Sequence, residues 1–113
     1  MKKIDDMEGI YLGSFKLARA EMGVTAFGMA VMDIPAGYGD YPEHDHSEDG
    51  QEEVFYVLEG SGTMVVDGEN VELKPDRYIW VEAESKRKIL PGDEGLKLIA
   101  VGSPPGAYQP RQG

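Results

Sequence analysis

The chain contains no cysteine, so disulfides, thiol nucleophiles, iron–sulfur clusters and thiolate zinc sites are all excluded. His, Asp and Glu are left as the strong metal ligands, and histidine is scarce: the 113 residues include 2. Long apolar runs are missing as well. Nothing approaches the run of about 18 apolar residues that a membrane-spanning helix requires. The start Met1-Lys2-Lys3-Ile4-Asp5-Asp6 turns acidic without the apolar stretch of a signal peptide, so a cytoplasmic location is expected. Positive charge is also in short supply, with 11 Lys and Arg against 21 Asp and Glu and a formal net charge of -10. A field of that sign repels phosphate backbones and anionic lipid heads, which argues against nucleic-acid and membrane partners. Cations are the natural counter-charges.

What is there in quantity is apolar and turn-forming. Hydrophobic residues make up 41% of a chain of one-domain length, enough to fill a core. The 15 glycines and 7 prolines are scattered, and they cut the chain into short segments rich in Val, Ile, Tyr, Phe and Met. That rhythm predicts an all-β sandwich or barrel, with strands at 14–19, 24–34, 53–58, 62–66, 70–73, 77–81, 86–90 and 95–101. Asp67-Gly68 between two apolar runs is a hairpin signal, because both central residues of such a turn favour positive φ. Gly60-Ser61-Gly62 and Asp93-Glu94-Gly95 read as further tight connections. A weak helical tendency is confined to residues 5–9. The two prolines of Ser103-Pro104-Pro105 exclude the tail from a ladder, and Tyr108 is expected to anchor it on the surface.

The histidines, His44 and His46, are one residue apart. On an extended chain both imidazoles share a face and Asp45 points away, a usable arrangement for two ligands to one ion. Alone, two histidines in an acidic loop read as a solvated polar stretch. Their context is more specific. Glu53 follows, opening the strand Val54-Phe55-Tyr56-Val57-Leu58, with Gly60 at its end. The segment Glu-Glu-Val-Phe-Tyr-Val-Leu-Glu-Gly at 52–60 resembles the first motif of the cupin superfamily, a His-x-His pair, a glutamate and a glycine, here His44, His46, Glu53 and Gly60. Gly37 or Gly39 stands for the glycine ahead of the histidines. The connection from His46 to Glu53 is longer than is usual in that family.

The resemblance implies a single cupin domain, a jelly-roll β-barrel (double-stranded β-helix) over about 24–101 with an N-terminal extension 1–23 and a C-terminal tail 102–113, and a homodimer. Its second motif departs from the family. Reading from Leu73-Lys74-Pro75, the family glycine falls on Asp76, the Pro-x-Gly turn on Glu82-Ala83-Glu84, and the fourth metal ligand, a histidine, on Arg87. Strand alternation puts Arg87 on the face of Ile89 and turns Lys86 and Lys88 to water. A guanidinium carries five donors and no acceptor, so it ligates no metal.

Two pictures follow. In one, His44, His46 and Glu53 hold one divalent ion (iron, zinc, manganese or nickel) with waters completing the shell, and Arg87 grips an anionic ligand. In the other, Arg87 pairs with Glu53 and takes the place of the ion. Phe55 and Val57 share the face of Glu53 and are expected to line a pocket, together with Tyr78 and Trp80; Phe27, Met29 and Tyr56 are weaker candidates. The acidic residues around the histidines, Glu53 excepted, read as a solvated loop. The functional expectation is a barrel binding a small polar or anionic ligand, with a metal-dependent oxygenase, isomerase or lyase as the alternative.

Overall fold

A computed structural model describes residues 1–11, 13 and 15–111 of the chain. Ser14, the first residue of one expected strand, lies outside them, as do the last two residues of the tail. The elements in order are a 3-10 turn at Ile4–Asp6, β1 (Gly9–Ile10), β2 (Phe15–Lys16), α1 (Ala18–Met22), β3 (Gly28–Ile34), β4 (Glu52–Val66), β5 (Glu69–Leu73), β6 (Tyr78–Val81) and β7 (Arg87–Ser103).

The long strands β4 and β7 pair antiparallel along most of their length. The first half of β4 also pairs with β6, its second half with β5, and the end of β7 with β3, which carries β2 and β1 on its far side. The product is the expected all-β jelly roll. Its core is built by strand alternation: Ala30, Met32 and Ile34 sit opposite Ala100, Leu98 and Leu96 and face inward with Phe55, Val57, Met64, Val81 and Ile89.

Four expected strands merge into two. Gly60-Ser61-Gly62, which reads as a turn, is a bend within β4, where the register with β7 shifts between Val57 and Glu59 and between Gly60 and Gly62. Glycine doublets mark bulges as readily as turns. Gly60 has φ +83°, and a Cβ there would lie 2.1 Å from the carbonyl oxygen of Gly95. Gly60→Ala is therefore expected to lower stability by about 2–3 kcal/mol in thermal or urea unfolding, through αL strain plus backbone displacement. The Asp67-Gly68 hairpin does form, with φ of 48° and 85°.

The N-terminal extension departs most from expectation. Residues 5–9 hold only the end of the 3-10 turn and the start of β1, and the last two residues of the strand expected at 14–19 open the short helix α1. Ala18-Arg19-Ala20-Glu21-Met22 is a run of good helix formers, and Gly23 ends it in the left-handed conformation with its N–H on the Arg19 carbonyl. Met7 and Ala18 pack on Val31, so the extension covers the outer face of β3. Strand β3 starts at Gly28 and leaves 24–27 outside the sheet. Tyr108 is 79% exposed and anchors nothing. Among the described residues no helix is long and apolar enough to cross a membrane.

Candidate metal centre and ligand cavity

Glu53 opens the buried half of β4 between Val81 of β6 and Gly102 of β7. A Cβ on Gly102 would come within 3.1 Å of Glu53 Cγ, so the absence of a side chain there makes room for the glutamate. His44 forms an isolated antiparallel bridge with Arg87, its N–H on the Arg87 carbonyl at 3.0 Å and the reverse bond at 2.9 Å. The His46 N–H bonds the Ala83 carbonyl at 2.7 Å, within the turn that replaces Pro-x-Gly. Both histidines are thus fixed by backbone pairing, on the same face, with ring centroids 5.1 Å apart and nearly perpendicular.

Three nitrogens converge on one carboxylate oxygen. Glu53 Oε1 lies 3.2 Å from His46 Nε2, 3.8 Å from His44 Nε2 and 3.4 Å from Arg87 Nη1. The other ring nitrogens are committed: His44 Nδ1 to the Pro42 carbonyl at 3.4 Å, and His46 Nδ1 to the Asp49 carboxylate at 3.1 Å. Carbonyl and carboxylate oxygens only accept, so each Nδ1 that bonds there carries the hydrogen, and in a neutral ring Nε2 is then the nitrogen left to face Glu53 as a ligand atom. The lengthened loop between His46 and Glu53 is what delivers Asp49: the Gly50 N–H closes a turn onto the His46 carbonyl at 2.7 Å, and Asp49 folds back under the ring. Asp49 is exposed, as expected of the solvated loop, and it also orients a histidine; its carboxyl is held below the usual range. Desolvation opposes that shift, and the His46 and Gln51 hydrogen bonds outweigh it.

Arg87 is completely buried, as the alternation with Ile89 predicts. Its Nη2 donates to the Glu82 carbonyl at 2.7 Å, while Nε and Nη1 find no hydrogen-bond acceptor. Burial pulls the guanidinium pKa down against the opposing pull of Glu53, Asp45, Asp67 and Asp49. Lys86 and Lys88 lie on the other face, with Lys88 Nζ capping the Gly39 and Tyr41 carbonyls.

The carboxylate and histidines open on a cavity of about 500 Å³. Phe55 lines it, as does Met29; Val57 lies deeper, fully buried in the core. Tyr78 and Trp80 do not reach it. They are 73% and 61% exposed on the outer face of β6, because Val81 and Ile79 take the inward positions of that strand. Phe27 is half-exposed outside the sheet, and Tyr56 faces outward, donating to Asp76 at 2.7 Å. Asp76, at the family-glycine position, keeps the left-handed conformation with φ 68°. Asp tolerates that region better than most residues.

Much of the cavity wall comes from the N-terminal extension, through Tyr11, Phe15, Leu17 and Arg19, and from Tyr41. The composition of that extension carried no signal of this. Tyr41 stacks on Phe15 and meets Tyr11 edge-on, and burial, then the charge of Glu53, then Tyr11 push its hydroxyl pKa far up. It stays a neutral phenol.

Comparison with known proteins agrees with this architecture. A family model described as Cupin domain matches residues 30–102, more than half of the chain. An uncharacterized protein of Methanocaldococcus jannaschii is 32% identical over 65 residues, which are 57% of this chain and 52% of that protein. The chain therefore spans about half the length of that curated relative. Among solved structures, a cupin protein from Bacteroides fragilis superposes with a TM-score of 0.74 at 23% identity, covering 83% of this chain and 79% of the other. A predicted oxalate decarboxylase from Thermotoga maritima gives 0.63 at 25% identity, covering 77% and 74%.

Proposed function

This chain belongs to the Cupin domain family, and on that footing we propose that it binds a small polar or anionic ligand in the barrel beside one divalent metal ion held by His44, His46 and Glu53. One observation carries the metal: His46 Nε2 and Glu53 Oε1 are buried, 3.2 Å apart and without a hydrogen-bond partner, with His44 Nε2 3.8 Å from the same oxygen. With neutral imidazoles, a divalent cation among these atoms satisfies all three at once. The His44, His46 and Glu53 ligand atoms all lie within 4.8 Å of one another. Bonds of about 2.0–2.2 Å at tetrahedral to octahedral angles ask for ligand separations of about 3–3.5 Å; Glu53 Oε1 meets that with His46 at 3.2 Å, and His44, at 3.8 Å, closes in when the ion binds. When bound, a divalent ion supplies Lewis acidity and orients the oxygens of a ligand. Tyr41, a neutral hydroxyl on the cavity wall, is placed to hydrogen-bond that ligand.

The test is metal analysis of protein purified without a His tag. About one equivalent of ion, lost in His44→Ala, is the expected result; less than about a tenth of an equivalent after refolding with excess iron, zinc, manganese or nickel overturns it. Asp49→Ala, which frees the His46 ring without touching a ligand atom, is expected to weaken metal binding about tenfold in a chelator competition.

A second reading rests on Arg87 Nη1, 3.4 Å from Glu53: the guanidinium itself is the counter-charge and the cavity works without metal. The same metal analysis separates the two. A metal-dependent oxygenase, isomerase or lyase would use the same three residues. The likeness to a predicted oxalate decarboxylase supports that version, which predicts turnover abolished by His44→Ala.

A further inference from the structure

Resting on the reading of the cavity as a ligand site, we infer that its ligand is an amphipathic monocarboxylate, with an apolar body in the barrel and its carboxylate on Arg19. The cavity wall is largely apolar and aromatic, with Phe15, Met32, Tyr41 and Phe55 among its side chains, and its volume of about 500 Å³ falls within the usual range of small-molecule sites. A ligand polar on every side would leave the hydroxyls that meet these groups without partners. A molecule with an apolar or aromatic body has what it needs there.

The charge comes from one residue. Arg19 is exposed at the edge of this cavity and is the one Lys or Arg among its described lining residues. Its Nη1 donates to the Val24 carbonyl at 2.8 Å, which holds the guanidinium in place. The ion pairs among the described residues are made by Lys2, Lys74, Arg77, Arg87, Lys97 and the two histidines. Arg19 makes none, and neither do Lys3, Lys16, Lys86, Lys88 and Arg111, but of these Arg19 alone lines the cavity, in a chain where acidic residues outnumber basic ones by 21 to 11. A cation left unpaired under that excess, beside an apolar cavity, fits an anion brought by the ligand. A single fixed guanidinium fork matches a carboxylate in two parallel hydrogen bonds.

The test compares 4-phenylbutanoate with the neutral 4-phenylbutanamide by calorimetric titration or NMR shift titration of the full chain, with metal content measured on the same sample. The carboxylate is expected to bind at least about tenfold more tightly, and Arg19→Gln is expected to erase the difference while leaving metal content unchanged. Equal affinities for the two compounds in the wild type, or no binding of either, overturn the inference. So does a preference that survives Arg19→Gln and disappears in His44→Ala, because the carboxylate then sits on the metal. Neither probe needs an ion in order to bind. An absent metal therefore counts against the preceding proposal alone, and an absent carboxylate preference against this one.

Discussion

Glu53→Gln is expected to cost about 3–5 kcal/mol of folding stability, the usual penalty for stripping one partner from a buried charge pair, and to abolish metal uptake. The amide keeps the volume of the side chain, so the loss reports charge rather than a cavity. Arg87 has no exposure at all, and its Nε and Nη1 have no acceptor; among the described carboxylates, Glu53 is the one within 4 Å of its guanidinium. Urea unfolding in the presence of a chelator measures the effect, since bound metal would add its own stabilisation to the wild type. Adding Arg87→Met to Glu53→Gln is expected to restore much of the loss, because it removes the orphaned cation along with its lost partner. A double variant as unstable as the sum of the singles would show that the two groups do not act as a pair.

That Arg87 faces inward was legible from spacing, and the cupin resemblance placed it beside Glu53 as one of two pictures. Lys86-Arg87-Lys88-Ile89-Leu90 alternates so plainly that one apolar neighbour, Ile89, sets the face of Arg87, and both side chains are buried. His44, His46 and Glu53 come together because a strand places i and i+2 on one face and because the next strand begins at a glutamate. Tyr78-Ile79-Trp80-Val81 offers no such parity: all four residues are large and apolar, so alternation cannot say which two face in. Size suggested the aromatics, and packing chose Ile79 and Val81, whose branched side chains fit between β4 and the core. The merged strands β4 and β7 were hidden for a similar reason, since a glycine at a barrel bend and a glycine at a turn look alike in sequence. The N-terminal wall and Asp49 depend on long-range docking and on the path of a lengthened loop, neither of which leaves a periodic trace.

The position of Arg87 sets the second large effect. Arg87→His is expected to tighten binding of zinc or nickel roughly 100-fold in competition with a chelator of known affinity. Residue 87 is in backbone register with His44, so an imidazole there reaches the same side of the cavity as the other ligands. Two contributions act in one direction. Arg87 Nη1 is 3.4 Å from Glu53 Oε1, which places its charge about 5 Å from an ion bound at that oxygen, close enough for repulsion between the two like charges. Removing the guanidinium relieves it, and the imidazole then adds a fourth ligand. Arg87→Met separates the two by removing the charge and supplying only a weak thioether donor. It is expected to give the smaller part of the gain, about tenfold. If Arg87→His binds metal no more tightly than the wild type, the guanidinium does not oppose the ion. The convergence of three nitrogens on Glu53 would then be a closed structural knot rather than a metal centre held at reduced affinity.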